Sequence, residues 1–126
     1  MSHNNIGKYL NHLLIGLSAN NTLTCLILSN TKIKYIDICN LFDVLANSLT
    51  VLKILKLDDN NLKSDSAMYI AESLNYKKYN ISELYLSGNN FKSGDLKLLK
   101  CAIEKYSWFI IYLFSNLDQD IVNILN

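Results

Sequence analysis

Arginine and proline are both absent from the 126 residues. The 12 basic residues are all lysines and face 11 acidic ones, for a formal net charge of +1. A nucleic-acid-binding surface normally carries a basic surplus and uses arginine for bidentate contacts to phosphate and guanine. Both features are missing, so nucleic acid is not an expected partner. Abundant asparagine, isoleucine, lysine and tyrosine beside these gaps point to an AT-rich coding sequence, which concerns the gene and not the function. Long hydrophobic runs are missing too. The longest, Trp108 to Phe114, is far short of the roughly twenty apolar residues that a membrane helix needs. The start, Met1-Ser2-His3-Asn4-Asn5-Ile6, has neither the basic nor the apolar region of a signal peptide. The expectation is a cytoplasmic protein with no membrane contact; the alternative is a microbial effector delivered without a standard signal peptide.

Reactive residues are few. Cys25, Cys39 and Cys101 are odd in number, widely spaced and without a CxxC pair, as expected of reduced thiols rather than a disulfide frame or a metal site. The two histidines, His3 and His12, fall near the N-terminus, so spacing offers no Ser-His-Asp or Cys-His arrangement. The four glycines make no phosphate-cradling loop. Asp58-Asp59-Asn60-Asn61 followed by Asp65 has a passing likeness to a calcium loop, but its sixth position is Lys63 rather than Gly and its twelfth is Tyr69 rather than Glu. Asn20-Asn21-Thr22 and Asn80-Ile81-Ser82 match the glycosylation pattern, and without an export signal they read as chance matches. No enzyme, metal or cofactor is expected.

What is present is apolar and periodic. Half of the residues are hydrophobic, which excludes a disordered chain, and the length suits one domain with one core. Three segments align without a gap: Leu23 to Ile33, Leu52 to Leu62 and Ile81 to Phe91. Each start lies 29 residues after the last (52 − 23 and 81 − 52). Each has the form LxxLxLxxNxL, with Thr31 as the one departure at the Asn position. Leu26 and Leu28 alternate with Cys25, Ile27 and Ser29, the period-two signature of a strand with one buried face. The Asn carries a donor and an acceptor, so Asn60 and Asn89 are expected to satisfy backbone groups at the bend, with neighbouring Asn61 a bystander.

The second half of each repeat reads as a helix. Leu41 and Leu45, Ile70 and Leu74, and Leu99 and Ile103 are spaced four apart at one common offset. Asp37, Ser66 and Asp95, again 29 apart, are residue types that cap helix starts, with Ser64 and Asp65 as competitors in the second repeat. The resulting division is 1–22 as an N-terminal capping helix with Leu10, Leu13, Leu14 and Leu17 on one stripe, repeats at 23–51, 52–80 and 81–107, and a last strand with a C-terminal cap at 108–126. The last strand has two registers. A 29-residue step aligns Ile110, Leu113, Ser115 and Asp118; a 27-residue step aligns Trp108, Ile111, Leu113 and Asn116, which suits the pattern better.

This pattern resembles the leucine-rich-repeat family, and the full helix in a 28–29-residue repeat resembles its ribonuclease-inhibitor-like subfamily. The resemblance implies an α/β fold: a right-handed βα solenoid with a parallel sheet on the concave side and helices on the convex side. It also implies recognition rather than catalysis, since the family uses its repeats for protein contact. Residues alternating with the buried leucines are then expected on the concave face, where Ile27, Ile54, Lys56, Glu83, Tyr85, Tyr112 and Phe114 form an apolar, aromatic surface fit to bind a partner protein. The rivals are a structural role by self-association, such as a homodimer, and binding through the outer helices. Those helices carry Tyr69, Tyr76, Lys77, Lys78 and Tyr79, with Lys97, Lys100 and Lys105 further on.

Overall fold

A computed structural model describes residues 10–19, 22–47, 51–76, 79, 81–104 and 110–113. Helix α1 (Leu10–Ala19) is followed by strand β1 (Cys25–Ile27), helix α2 (Tyr35–Asn47), β2 (Ile54–Lys56), α3 (Ser64–Tyr76), β3 (Glu83–Tyr85), α4 (Ser93–Ile103) and β4 (Ile110–Tyr112). The four strands form one parallel sheet in chain order. The chain is therefore α/β, with the helices packed in the same order, α1 on α2, α2 on α3 and α3 on α4.

Register follows the repeat. Leu26 lies beside Leu55 and Leu55 beside Leu84, each a step of 29 residues, whereas Leu84 lies beside Ile111, a step of 27. The shorter step is the one that keeps apolar residues at the buried places of β4. Trp108 and Asn116, at its two ends, lie outside the described residues, as does the expected closing helix.

Parity decides which residues enter the core. Leu26, Leu28, Leu55, Leu57, Leu84 and Leu86 are buried, and they share one cluster with Leu41, Phe42, Leu45, Ile70, Leu74 and Leu99 of the helices. Leu10, Leu14 and Leu17 of α1 cap this cluster at one end. The inward leucines of the strands and the apolar residues of α1 to α4 share this one cluster, so the helices pack on the leucine side of the sheet. Of the other face, no described residue is buried.

The turns after the strands carry the closest hydrogen bonding. The Asn60 side-chain carbonyl accepts the Thr31 N–H at 2.9 Å, and its amide nitrogen donates to the carbonyls of Leu28 (2.9 Å) and Leu57 (3.0 Å). Asn89 repeats this one step on: it accepts from the N–H groups of Asn60 (2.9 Å) and Leu62 (3.0 Å) and donates to Leu57 (3.1 Å) and Leu86 (2.9 Å). Each amide thus binds its own turn and the turn before it. Thr31, at the same place after β1, donates its hydroxyl to the Leu28 carbonyl of its own turn at 2.6 Å.

The same turns impose a backbone constraint. Asn30, Asp59 and Gly88, spaced by 29, all have positive φ, at 55°, 58° and 70°. These are the residue types that tolerate the left-handed region best. At Gly88 a Cβ would also collide with the Asp59 carboxylate. Lys32 (59°) and Asn61 (57°) share that conformation two residues on. Asn61 is therefore no bystander, contrary to the sequence expectation: it supplies a backbone shape that alanine adopts at a cost.

Two further expectations are corrected at the helix starts. Asp37, Ser66 and Asp95 are third residues of their helices, not the capping residues before them. The Asp37 and Asp95 carboxylates reach back to accept the N–H of Lys34 and Lys92, both at 2.9 Å. Ser66 does not take part. It is buried, and the Asp95 carboxylate instead accepts the Ser64 hydroxyl at 2.7 Å, tying α3 to α4.

Candidate functional site

The side of the sheet away from the leucines is built in ranks, because parallel pairing sets equivalent residues of successive strands side by side. Cys25, Ile54, Glu83 and Ile110 make one rank; Ile27, Lys56, Tyr85 and Tyr112 make the next. Six of the seven residues expected on this surface, Ile27, Ile54, Lys56, Glu83, Tyr85 and Tyr112, are brought together there. The seventh, Phe114, lies outside the described residues.

The second rank is ordered by direct contact. Tyr85 and Tyr112 stack face to face, with ring centroids 4.2 Å apart and planes within 9°. The Lys56 ammonium sits 4.8 Å from the centre of the Tyr85 ring, a cation–π contact. Tyr85 donates its hydroxyl hydrogen bond to Glu83 at 2.8 Å. That bond to a carboxylate, with smaller contributions from burial and from Tyr112, raises the Tyr85 hydroxyl well above the ordinary tyrosine range. Tyr85 is consequently held on three sides and stays neutral.

Exposure is greatest at the two ends of the rank. Ile27 is 60% exposed and Tyr112 38%, whereas Lys56 and Tyr85 between them are half-buried. Beyond the rank, Asp58 accepts both the N–H (2.8 Å) and the hydroxyl (2.9 Å) of Ser87, so that its carboxylate braces the turns that follow β2 and β3. The sequence pattern had placed these side chains on one face. The 27-residue step that the pattern favours already sets Tyr85 beside Tyr112; the stacked ring geometry is what the structure adds.

No protein-family model matches the chain, and no curated protein does. The residues themselves carry the functional reading. Among the described residues, no group of three or more His, Cys, Asp or Glu side chains is placed to hold a metal ion, and no helix is long and apolar enough to cross a membrane. His12 is an exposed residue of α1.

The outer helices present a different picture. Tyr69 donates to the Asp43 carboxylate at 2.6 Å and meets Tyr35 edge to face. Tyr79 packs edge to face on Phe42, and burial pushes its hydroxyl up to about 12. Both rings thus join neighbouring repeats. Lys97 and Lys100 are exposed; Lys77, Lys78 and Lys105 lie outside the described residues.

Proposed function

We propose that the chain is a short leucine-rich-repeat solenoid of the ribonuclease-inhibitor-like type, acting without catalysis by binding a partner protein through the open face of its sheet. The repeat reading is supported by the 29-residue register, the asparagine that binds two turns at once, and the helix that follows each of β1, β2 and β3. The functional reading rests on one observation above all: the stacked Tyr85–Tyr112 pair, with exposed Ile27 in the same rank, on a face where none of the described side chains is buried. Rings already held in place lose little conformational freedom on binding, which makes aromatic side chains the usual anchors of an interface. The three free thiols suit a reducing compartment.

The test is a pull-down from the source cell, followed by affinity measurements on the recovered partner. Tyr85→Ala and Tyr112→Ala are expected to weaken binding by about tenfold or more, with the unfolding midpoint little changed, and Lys97→Ala on the outer side to change neither. The reverse ranking would transfer the site to the helices. Self-association is the second reading, favoured by the position of β1 at the edge of the sheet, where a strand exposes unpaired backbone. Light scattering on the eluting protein separates the two: a monomer supports the binding module and a stable dimer the assembly.

A further inference from the structure

Of the charges in the two ranks and the turns beyond them, one lacks a bonding partner. Asp58 accepts two hydrogen bonds from Ser87, and Glu83 accepts one from Tyr85. Among the described residues, Lys56 meets no carboxylate or carbonyl oxygen within bonding distance; its ammonium lies 4.8 Å from the centre of the Tyr85 ring. An ammonium carries three N–H donors and no acceptor. Lys56 is half-buried, and solvent alone is left to satisfy those donors.

A partner that covers the Tyr85–Tyr112 stack covers Lys56 as well, because the ammonium lies on the first of these rings. Apolar atoms laid over it would strip a charge and three donors of water without replacement, which opposes docking. A carboxylate answers both needs, since it offers acceptors only and the opposite charge. The neighbours limit the number of anions. Asp58 and Glu83 stand on the same side of the sheet and repel a second one, which also disfavours a phosphate chain. The ends of the rank set the rest of the chemistry. Ile27 of β1 is 60% exposed and Tyr112 of β4 38%, and both call for apolar cover. They lie three strand spacings apart, about 14 Å, which an extended segment of roughly five residues spans.

We propose that the open face takes an extended partner segment with large apolar side chains at both ends and a single aspartate or glutamate between them. The carboxylate bonds to the Lys56 ammonium, and the apolar ends lie on Ile27 and on the Tyr112 ring. The proposal rests on the reading of this face as a protein-binding surface, and it adds the chemistry of the partner.

The probe is a library of random short peptides selected on the full chain, with Tyr85→Ala, Lys56→Glu and Lys97→Glu selected in parallel. Peptides enriched on the parent are expected to share one Asp or Glu between large apolar residues. They should be lost on Tyr85→Ala and kept on Lys97→Glu, whereas Lys56→Glu should enrich Lys or Arg at the acidic place. The leading peptide, once synthesised, is expected to bind the parent about tenfold more tightly than its counterpart with Asn or Gln for the acid. That comparison uses the parent protein alone, so the stability of a variant does not enter it. Enrichment that is lost on Tyr85→Ala but shows no acidic residue would overturn the proposal and leave the open-face reading standing. Equal affinity for the amide counterpart, or the same peptides selected on Lys56→Glu, would do likewise. Enrichment that survives Tyr85→Ala, or none at all, would overturn both.

Discussion

Asn60 is 6% exposed, and its amide is wholly occupied with main chain from two turns. Alanine in its place would strand the Thr31 N–H and leave the Leu28 and Leu57 carbonyls with one donor each, the Thr31 hydroxyl and the Asn89 amide. Asn60→Ala is therefore expected to cost about 3 kcal/mol, and half-buried Asn89→Ala about 2 kcal/mol. Asn61 acts through φ instead, so Asn61→Ala should cost about 1 kcal/mol and Asn61→Gly almost nothing. Urea midpoints of the four variants check the order; equality of Asn60→Ala and Asn61→Gly would sink the assigned roles. The role of Asn60 and Asn89 was legible in the sequence, because a recurring amide after a strand has few other uses. The left-handed places were not, since Asn30, Asp59 and Gly88 share a backbone shape without sharing a side chain.

At the scale of elements, the strands and helices were readable because their apolar periods, two and four, recur at one offset in every repeat. Helix starts were misread by three residues. Asp37 and Asp95 are capping types, but a carboxylate at the third helical position satisfies the same backbone N–H from inside the helix. Asp37→Ala should thus cost about 1 kcal/mol. Asp95→Ala should cost more, because Asp95 also accepts the Ser64 hydroxyl of the neighbouring helix. Ser66→Ala, at the equivalent place, should cost nothing. Thermal melts of the three variants test the series, and a Ser66→Ala loss matching that of Asp95→Ala would mean that the hydroxyl is bonded after all. The pairing of Tyr85 with Tyr112 was legible as well, since parity put both on one face and the favoured 27-residue step makes them neighbours. Their stacked geometry was not, because spacing does not set ring orientation.

For the whole molecule, the tyrosines set a limit on the alkaline side. Tyr69, Tyr79 and Tyr85 all have hydroxyls raised above the ordinary value of 10.0, through a carboxylate bond at Tyr69 and Tyr85 and through burial at Tyr79. The folded chain then keeps protons that the unfolded chain releases, so the stability these groups contribute is complete below pH 10 and declines above it. For Tyr79 the decline runs from pH 10.0 to about 12. Denaturant midpoints should be level from neutral pH to about 10 and fall beyond it, less steeply in Tyr79→Phe. A midpoint that rises above pH 10 would contradict the assignment. The α/β class was legible because strands and helices alternate along the chain and each packs on its counterpart one step further on.

The two-turn grip of each asparagine also sets the terms on which such a chain can evolve. Asn60 and Asn89 hold partners 29 residues away, so the segment from one turn to the next behaves as an interchangeable tile. Copying or losing one whole tile would present every remaining amide with the same neighbours as before. A shift within the turn itself has no such immunity, for the amide would meet the wrong carbonyl. Between turns the rule relaxes, as the 27-residue step to β4 illustrates. Inheritance in this architecture should accordingly be conservative at the bend, tolerant along the helix, and most inventive in the number of tiles.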